Sequence, residues 1–175
     1  YVISPADFEN DLKFITENNY TAITVNDLTN YVYENINLPE KPIMITFDDG
    51  YLNNYVYAFP LIKKYGCKMV LSPIGKYADE YSISGDNSVS YANATWNELK
   101  EMQDSGFVEI QNHTYDLHNS SGTRLGAKQK SGESDSNYKE IISTDIKKAQ
   151  DLIFTNLGIT PSAFIYPFGA ISKSS

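Results

Sequence analysis

The chain has 175 residues, 41% hydrophobic and 21% charged, with a net charge of −8 and a pI near 4.7. That length suits one domain with a sizeable core, and no apolar run approaches the roughly 18 residues of a membrane span. The acidic balance argues against a nucleic-acid partner and against adhesion to anionic membranes, while leaving neutral or cationic ligands, sugars among them.

In chain order, Ser4-Pro5 reads as an N-cap followed by a proline in the first helical turn, with Phe8, Leu12 and Ile15 recurring at helical spacing. "TAITV" (21–25) predicts a strand, followed by a helix through Leu28, Tyr31 and Tyr33. "PIMITF" (42–47) is the next strand. "NNYVYAFPLIKKYG" (53–66) predicts a helix interrupted or started late by Pro60 and stopped by Gly66. "CKMVLSPI" (67–74) predicts a strand. Its Cys67, the single cysteine, permits no internal disulfide and reads as a small buried hydrophobe.

Residues 75–93 are polar and turn-rich, with little periodicity. "ATWNELKEMQDSG" (94–106) predicts a helix with a Thr95–Glu98 capping box, a Trp96, Leu99 and Met102 face, and Gly106 as its stop. "FVEIQNH" (107–113) predicts a strand. Residues 119–137, rich in Ser, Gly and charge, predict an exposed loop. A long helix over 138–158 follows, with Ile141, Ile142, Ile146, Ala149, Leu152 and Ile153 largely on one stripe, and "SAFIYPFG" (162–169) closes as a strand. This alternation predicts an α/β fold with a parallel sheet, whose chemistry gathers at the carboxyl ends of the strands.

Two such ends carry groups able to do chemistry. The strand at 42–47 runs into Asp48 and Asp49, and burying adjacent carboxylates is costly unless a cation compensates. The pair is either a solvated turn or part of a cation site, and Gly50 permits a tight turn through which both carboxylates address one cavity. His113 and His118, the two histidines of the chain, follow the strand at 107–113. Five residues apart, they align on neither a helix nor a regular strand, and they converge only if the chain turns between them, which Asp116 suits. One aspartate and two histidines supply a carboxylate oxygen and two imidazole nitrogens with a position left open, a set suited to zinc or a similar divalent ion. The other aspartate is then free to take a proton from a water at that ion.

"TFDDG" (46–50), "HTYDLH" (113–118) and "YPFG" (166–169), in this order, resemble the first three motifs of the NodB-like polysaccharide deacetylases. The likeness runs from "SPADFENDLKFITENNYTAITVNDL" to "AFIYPFG", nearly the whole chain. It implies an irregular (β/α) barrel that removes N- or O-acetyl groups from a glycan with one divalent metal ion, Zn2+ foremost, with Co2+, Ni2+ or Mn2+ as alternatives. It also implies Asp48 as general base, Asp49, His113 and His118 as metal ligands, Thr114 as a brace of the histidine loop, and the Tyr51 backbone N–H as oxyanion donor. Tyr166, Pro167 and Phe168 are expected to line the substrate cleft, where an aromatic face supports a sugar ring; ordinary strand core is the alternative. The expected partner is an acetylated glycan, with no nucleic acid, and the location implied is extracellular or at a bacterial cell surface.

The commonest second motif spaces its histidines by four, and the commonest third motif carries an arginine where this chain has Ile165. Both departures are similar to the branch containing poly-N-acetylglucosamine deacetylases. The family's later motifs, with a tryptophan and a general-acid histidine, have no counterpart here, since the one tryptophan is Trp96. Residues 1–175 are therefore expected to form the N-terminal and central part of a single domain whose barrel is incomplete at its C-terminus. Two other readings are an inactive metal- or glycan-binding relic and a metal-dependent hydrolase of another substrate class.

Overall fold

Ser4 opens the first helix, its hydroxyl accepting the Asp7 N–H at 3.1 Å, and α1 (Pro5–Glu17) buries Phe8, Leu12 and Ile15. The computed structural model describes residues 3–120, 122 and 124–173. Strand β1 is only Thr21–Ala22, because Thr24 forms a capping box with Asp27 and starts α2 (Val25–Glu34) inside the stretch expected to be strand. The chain returns in an extended run broken at Met44–Ile45. Its first part, β2 (Pro42–Ile43), pairs parallel with β1, and its second part, β3 (Thr46–Asp49), pairs parallel with β4 (Met69–Pro73). Strand β4 pairs in turn with β5 (Val108–Ile110), also in parallel. All five residues of β4 are buried, as a parallel strand covered on both faces requires.

Pro60 has no N–H with which to continue an α-helical ladder, and the backbone widens into a π-helical turn at Asn54–Ala58 before α3 (Phe59–Tyr65). Gly66, at φ 62°, ends it. The polar stretch after β4 contains a helix that the sequence reading missed. This helix, α4 (Gly75–Ser84), buries only Gly75 and Ala78, too sparse an apolar stripe to leave a periodic signal. The capping box at Thr95 starts α5 (Trp96–Asp104) as expected, with Trp96, Leu99 and Met102 buried. The long helix α6 (Asp135–Leu157) starts at Asp135 rather than Tyr138, with Ser134 as its cap.

The expected exposed loop before α6 is a partly buried one. Residues 121 and 123 lie outside the described residues. Elsewhere in the loop, Gly126 and Ala127 are buried, Tyr138 donates its hydroxyl to the Ala127 carbonyl at 3.0 Å, and Arg124 pairs with Glu133 with side chains 9% and 5% exposed. The expected last strand reduces to one parallel bridge, Asn112 to Phe164, followed by a 3-10 turn at Pro167–Gly169.

The main core lies between the β3-β4-β5 sheet and helices α1, α3, α5 and α6, with Leu12, Ile62, Met69, Leu71, Leu99, Met102, Ile110 and Ile153 near its centre. Two polar side chains tie the sheet to what surrounds it. The Glu109 carboxylate on β5 accepts the Val25 and Asn26 N–H groups at the start of α2, both at 3.1 Å, and the Gln111 carbonyl oxygen accepts the Ser162 and Ala163 N–H groups at 3.0 and 2.8 Å. Among the described residues the strands form two sheets that do not close into a ring, and no helix is long and apolar enough to cross a membrane.

Candidate metal centre and active site

At the carboxyl end of β3 the chain reverses sharply. Asp49 and Gly50 both take positive φ, 67° and 73°, and the Gly50 N–H donates to the Asp48 carbonyl at 2.8 Å, the i to i+2 bond of a γ-turn. The turn leaves Asp48 exposed and Asp49 half-buried, with the Asp48 charge still felt at His118. The turn is held from behind. Asn93, 5% exposed, donates to the Asp49 carbonyl at 2.7 Å, and the Ile74 N–H reaches the same oxygen at 3.3 Å. Sequence reasoning missed Asn93, which sits in a stretch with no pattern and acts only on a backbone oxygen.

His113 stands just past β5, 2% exposed, with Nδ1 2.9 Å from the Ile165 carbonyl oxygen. A carbonyl only accepts, so Nδ1 carries a proton, and Nε2 is the nitrogen left to offer a lone pair to a metal. That Nε2 lies 3.3 Å from Asp49 Oδ1, and the Nε2 of His118 lies 3.1 Å from the same oxygen. The chain does turn between the two histidines: Thr114, fully buried, has φ 74°, and its hydroxyl accepts the Leu117 N–H at 3.2 Å.

Burial pushes the Asp49 carboxyl up, but His113 and His118 outweigh it and hold the group below its usual range. For His118, burial lowers the pKa more than the Asp49 charge raises it. A divalent ion takes an ionised carboxylate and unprotonated imidazole nitrogens, and the lowered pKa values of Asp49 and His118 both lie in that direction. The fit is also visible in what is missing, because Asp49 Oδ1 is buried and receives no hydrogen bond. That oxygen converges with the two Nε2 atoms, one ligand atom from each residue lying inside 4.8 Å of the others. A cation satisfies all three at once, so Asp49, His113 and His118 fit a metal ion.

The other expected site residues stand around this point. Tyr51 forms an antiparallel bridge with Asn93, flanked by bonds from Ala94 N–H to the Gly50 carbonyl and from Leu52 N–H to the Ala92 carbonyl, both 2.8 Å. In that pattern the N–H of Tyr51 itself turns away from the paired segment. Burial first, and the Asp49 charge second, raise the Tyr51 phenol. Phe168, at φ 60° and 50% exposed, lays its ring 4.4 Å from that of His118. Pro167 is buried under Gly126, where a Cβ would stand 2.9 Å from the Pro167 carbonyl oxygen. Tyr166 goes elsewhere. Its ring meets Phe164 edge-on at 4.8 Å and borders a groove along α6 with Tyr138, Ile142 and Ile146. Of these three, Phe168 is the one beside the histidines.

A family profile described as polysaccharide deacetylase matches residues 35–175. The chain belongs to that family. Among its relatives in the family is a poly-beta-1,6-N-acetyl-D-glucosamine N-deacetylase of Escherichia coli K12, 28% identical over 89% of this chain and 26% of its own length. A Staphylococcus aureus protein of the same name is 26% identical over 98% of this chain and 55% of its own. The chain thus spans about a quarter to just over half of these relatives. The fold recurs in the de-N-acetylase of Aggregatibacter actinomycetemcomitans, with a TM-score of 0.83 at 26% identity, over 98% of this chain and 72% of that one.

Proposed function

We propose that this chain carries the metal-binding part of an active site that hydrolyses acetyl groups from a polysaccharide, an N-acetylated glucosamine polymer foremost. The observation that carries this reading is the orphaned Asp49 Oδ1 facing two imidazole nitrogens at the carboxyl edge of a parallel sheet, in a polysaccharide deacetylase chain. Asp49, His113 and His118 would hold one divalent ion; two nitrogens and one carboxylate oxygen suit Zn2+, with Co2+, Ni2+ and Mn2+ as substitutes. Bound there, the ion supplies Lewis-acid polarisation of the acetyl carbonyl and acidifies a water.

The chain's own groups do the rest. Asp48, exposed at the mouth of the site, takes the proton of the attacking water. The Tyr51 N–H donates to the acetyl oxygen as that atom gains charge, a contact worth about 3 kcal/mol. Phe168 offers its face to a sugar ring. Both histidines serve as ligands, so neither is the acid that protonates the leaving nitrogen. A polymer of this kind places the work outside the cell or at its surface.

The test uses the protein carrying this chain with oligomers of β-1,6-linked N-acetylglucosamine, reading acetate release and bound zinc. Asp48→Asn should keep the metal and lower release at least about 100-fold, and release at the unaltered rate would remove Asp48 from its role. His113→Ala should lose zinc, and stoichiometric zinc in that variant would sink the metal site.

A further inference from the structure

The five-residue interval between His113 and His118 belongs to no helix or strand, yet it delivers both Nε2 atoms to one carboxylate oxygen. Its geometry is set by side-chain oxygens. From Thr114 to Leu117 every backbone N–H is taken by one: Thr114 by Asn112 Oδ1 at 2.9 Å, Tyr115 by Asp145 Oδ1 at 2.8 Å, Asp116 by Asp145 Oδ2 at 2.8 Å, and Leu117 by the Thr114 hydroxyl at 3.2 Å. Asp145 is the only one of these three acceptor residues outside the loop and its approach. It lies in the middle of α6, and both oxygens of one carboxylate grip consecutive amides.

The opposite side of the loop is held as well. The Gly75 and Lys76 N–H groups at the start of α4 donate to the Thr114 and Tyr115 carbonyls, each at 3.0 Å, and Lys76 Nζ meets Asp116 at 2.9 Å. Asn112 Nδ2 donates to the Ile146 carbonyl at 3.0 Å, and Lys148 sits 3.5 Å from the centre of the Tyr115 ring, so α6 also meets the loop and its approach at two positions just after Asp145.

The two histidines depend on this differently. His113 is buried and locked through Nδ1 to Ile165, whereas His118 is 20% exposed and lies beyond the turn. We infer that Asp145 is a positioning residue of the metal centre, fixing the turn that carries His118 to Asp49. It is not among the three candidate ligands and acts through the Tyr115 and Asp116 amides. The inference rests on the metal reading above and goes beyond it in naming what preorganises the second histidine.

Asp145→Asn is the test. The amide keeps one acceptor and turns an NH2 toward the other backbone N–H, with little change in volume. The readouts are zinc affinity by chelator competition and the visible spectrum of the Co2+-loaded protein, with circular dichroism as the check on folding. Zinc affinity should fall about 10- to 100-fold, the Co2+ bands should change, and Lys148→Ala, which leaves both amide bonds in place, should stay near the unaltered affinity. A folded Asp145→Asn protein with unaltered affinity and spectrum overturns the inference. A second measurement needs no variant: Tyr115 and Asp116 amides exchanging with solvent as fast as open-loop amides in the metal-free protein would overturn it too. If the unaltered protein takes up no zinc, the metal reading fails and this one with it; if it binds and Asp145→Asn binds equally, only this one fails.

Discussion

Gly50 shows how closely the site depends on single backbone positions. Its φ of 73° lies in the region that residues with a Cβ avoid, and a Cβ built there would stand 2.8 Å from the Pro73 Cβ, against β4. Gly50→Ala therefore meets both a conformational and a steric penalty. It should destabilise the protein by more than about 1 kcal/mol and weaken zinc binding with it, read by thermal melting and metal titration; an unchanged melting temperature would contradict the geometry. At this scale the sequence was informative about residue types. Two carboxylates at one strand end and two histidines at another were visible as candidates. The left-handed conformation of Asp49 was not visible, because aspartate carries no obligatory signal for that state. Asn93 and Asp145 were hidden for a related reason. Each acts by hydrogen-bonding a distant backbone, and such a role leaves no local spacing to recognise.

Elements with a strong apolar stripe or a cap were legible, as α1 and α5 show. Those whose burial is irregular were not, as with α4 and the loop before α6. That loop encloses the Arg124–Glu133 ion pair, with the Glu133 carboxylate also accepting the Lys130 N–H at 3.0 Å. Arg124 is the main cause holding Glu133 below the ordinary 4.5. Between the lowered value and the ordinary one the unfolded loop binds more protons than the folded loop. The stabilisation is therefore complete above about pH 4.5 and is lost as the pH falls through the lowered value. Amide protection factors across 124–133, with the intrinsic slowing of exchange toward acid divided out, should fall on acidification through that window, and Glu133→Gln should remove the step. A step of equal size in the variant would assign it to another group. Because Gly126 packs on Pro167, loosening the loop should also free the turn that carries Phe168 beside His118.

Across the whole molecule, the α/β class and the gathering of chemistry at one sheet edge were legible from strand–helix alternation. The split into two sheets was less so, since β1 and β2 are each two residues long and follow capping and turn chemistry more than periodicity. The first helix is as much a part of the core as the strands. Leu12 is fully buried against the same cluster as Ile62 and Leu99. Leu12→Ala should cost about 2–5 kcal/mol, measured by urea unfolding, and a cost under about 1 kcal/mol would mean that α1 is only loosely docked.

The reach of Glu109 to α2 has a temporal consequence. The first amides of that helix, on Val25 and Asn26, are satisfied by a carboxylate that comes 84 and 83 residues later. On a growing polypeptide, α2 emerges from the ribosome long before β5, and its opening turn waits for water or a makeshift partner until Glu109 arrives. Contacts of such long sequence separation form late. The β1–α2 unit is thus completed only once β5 has been made.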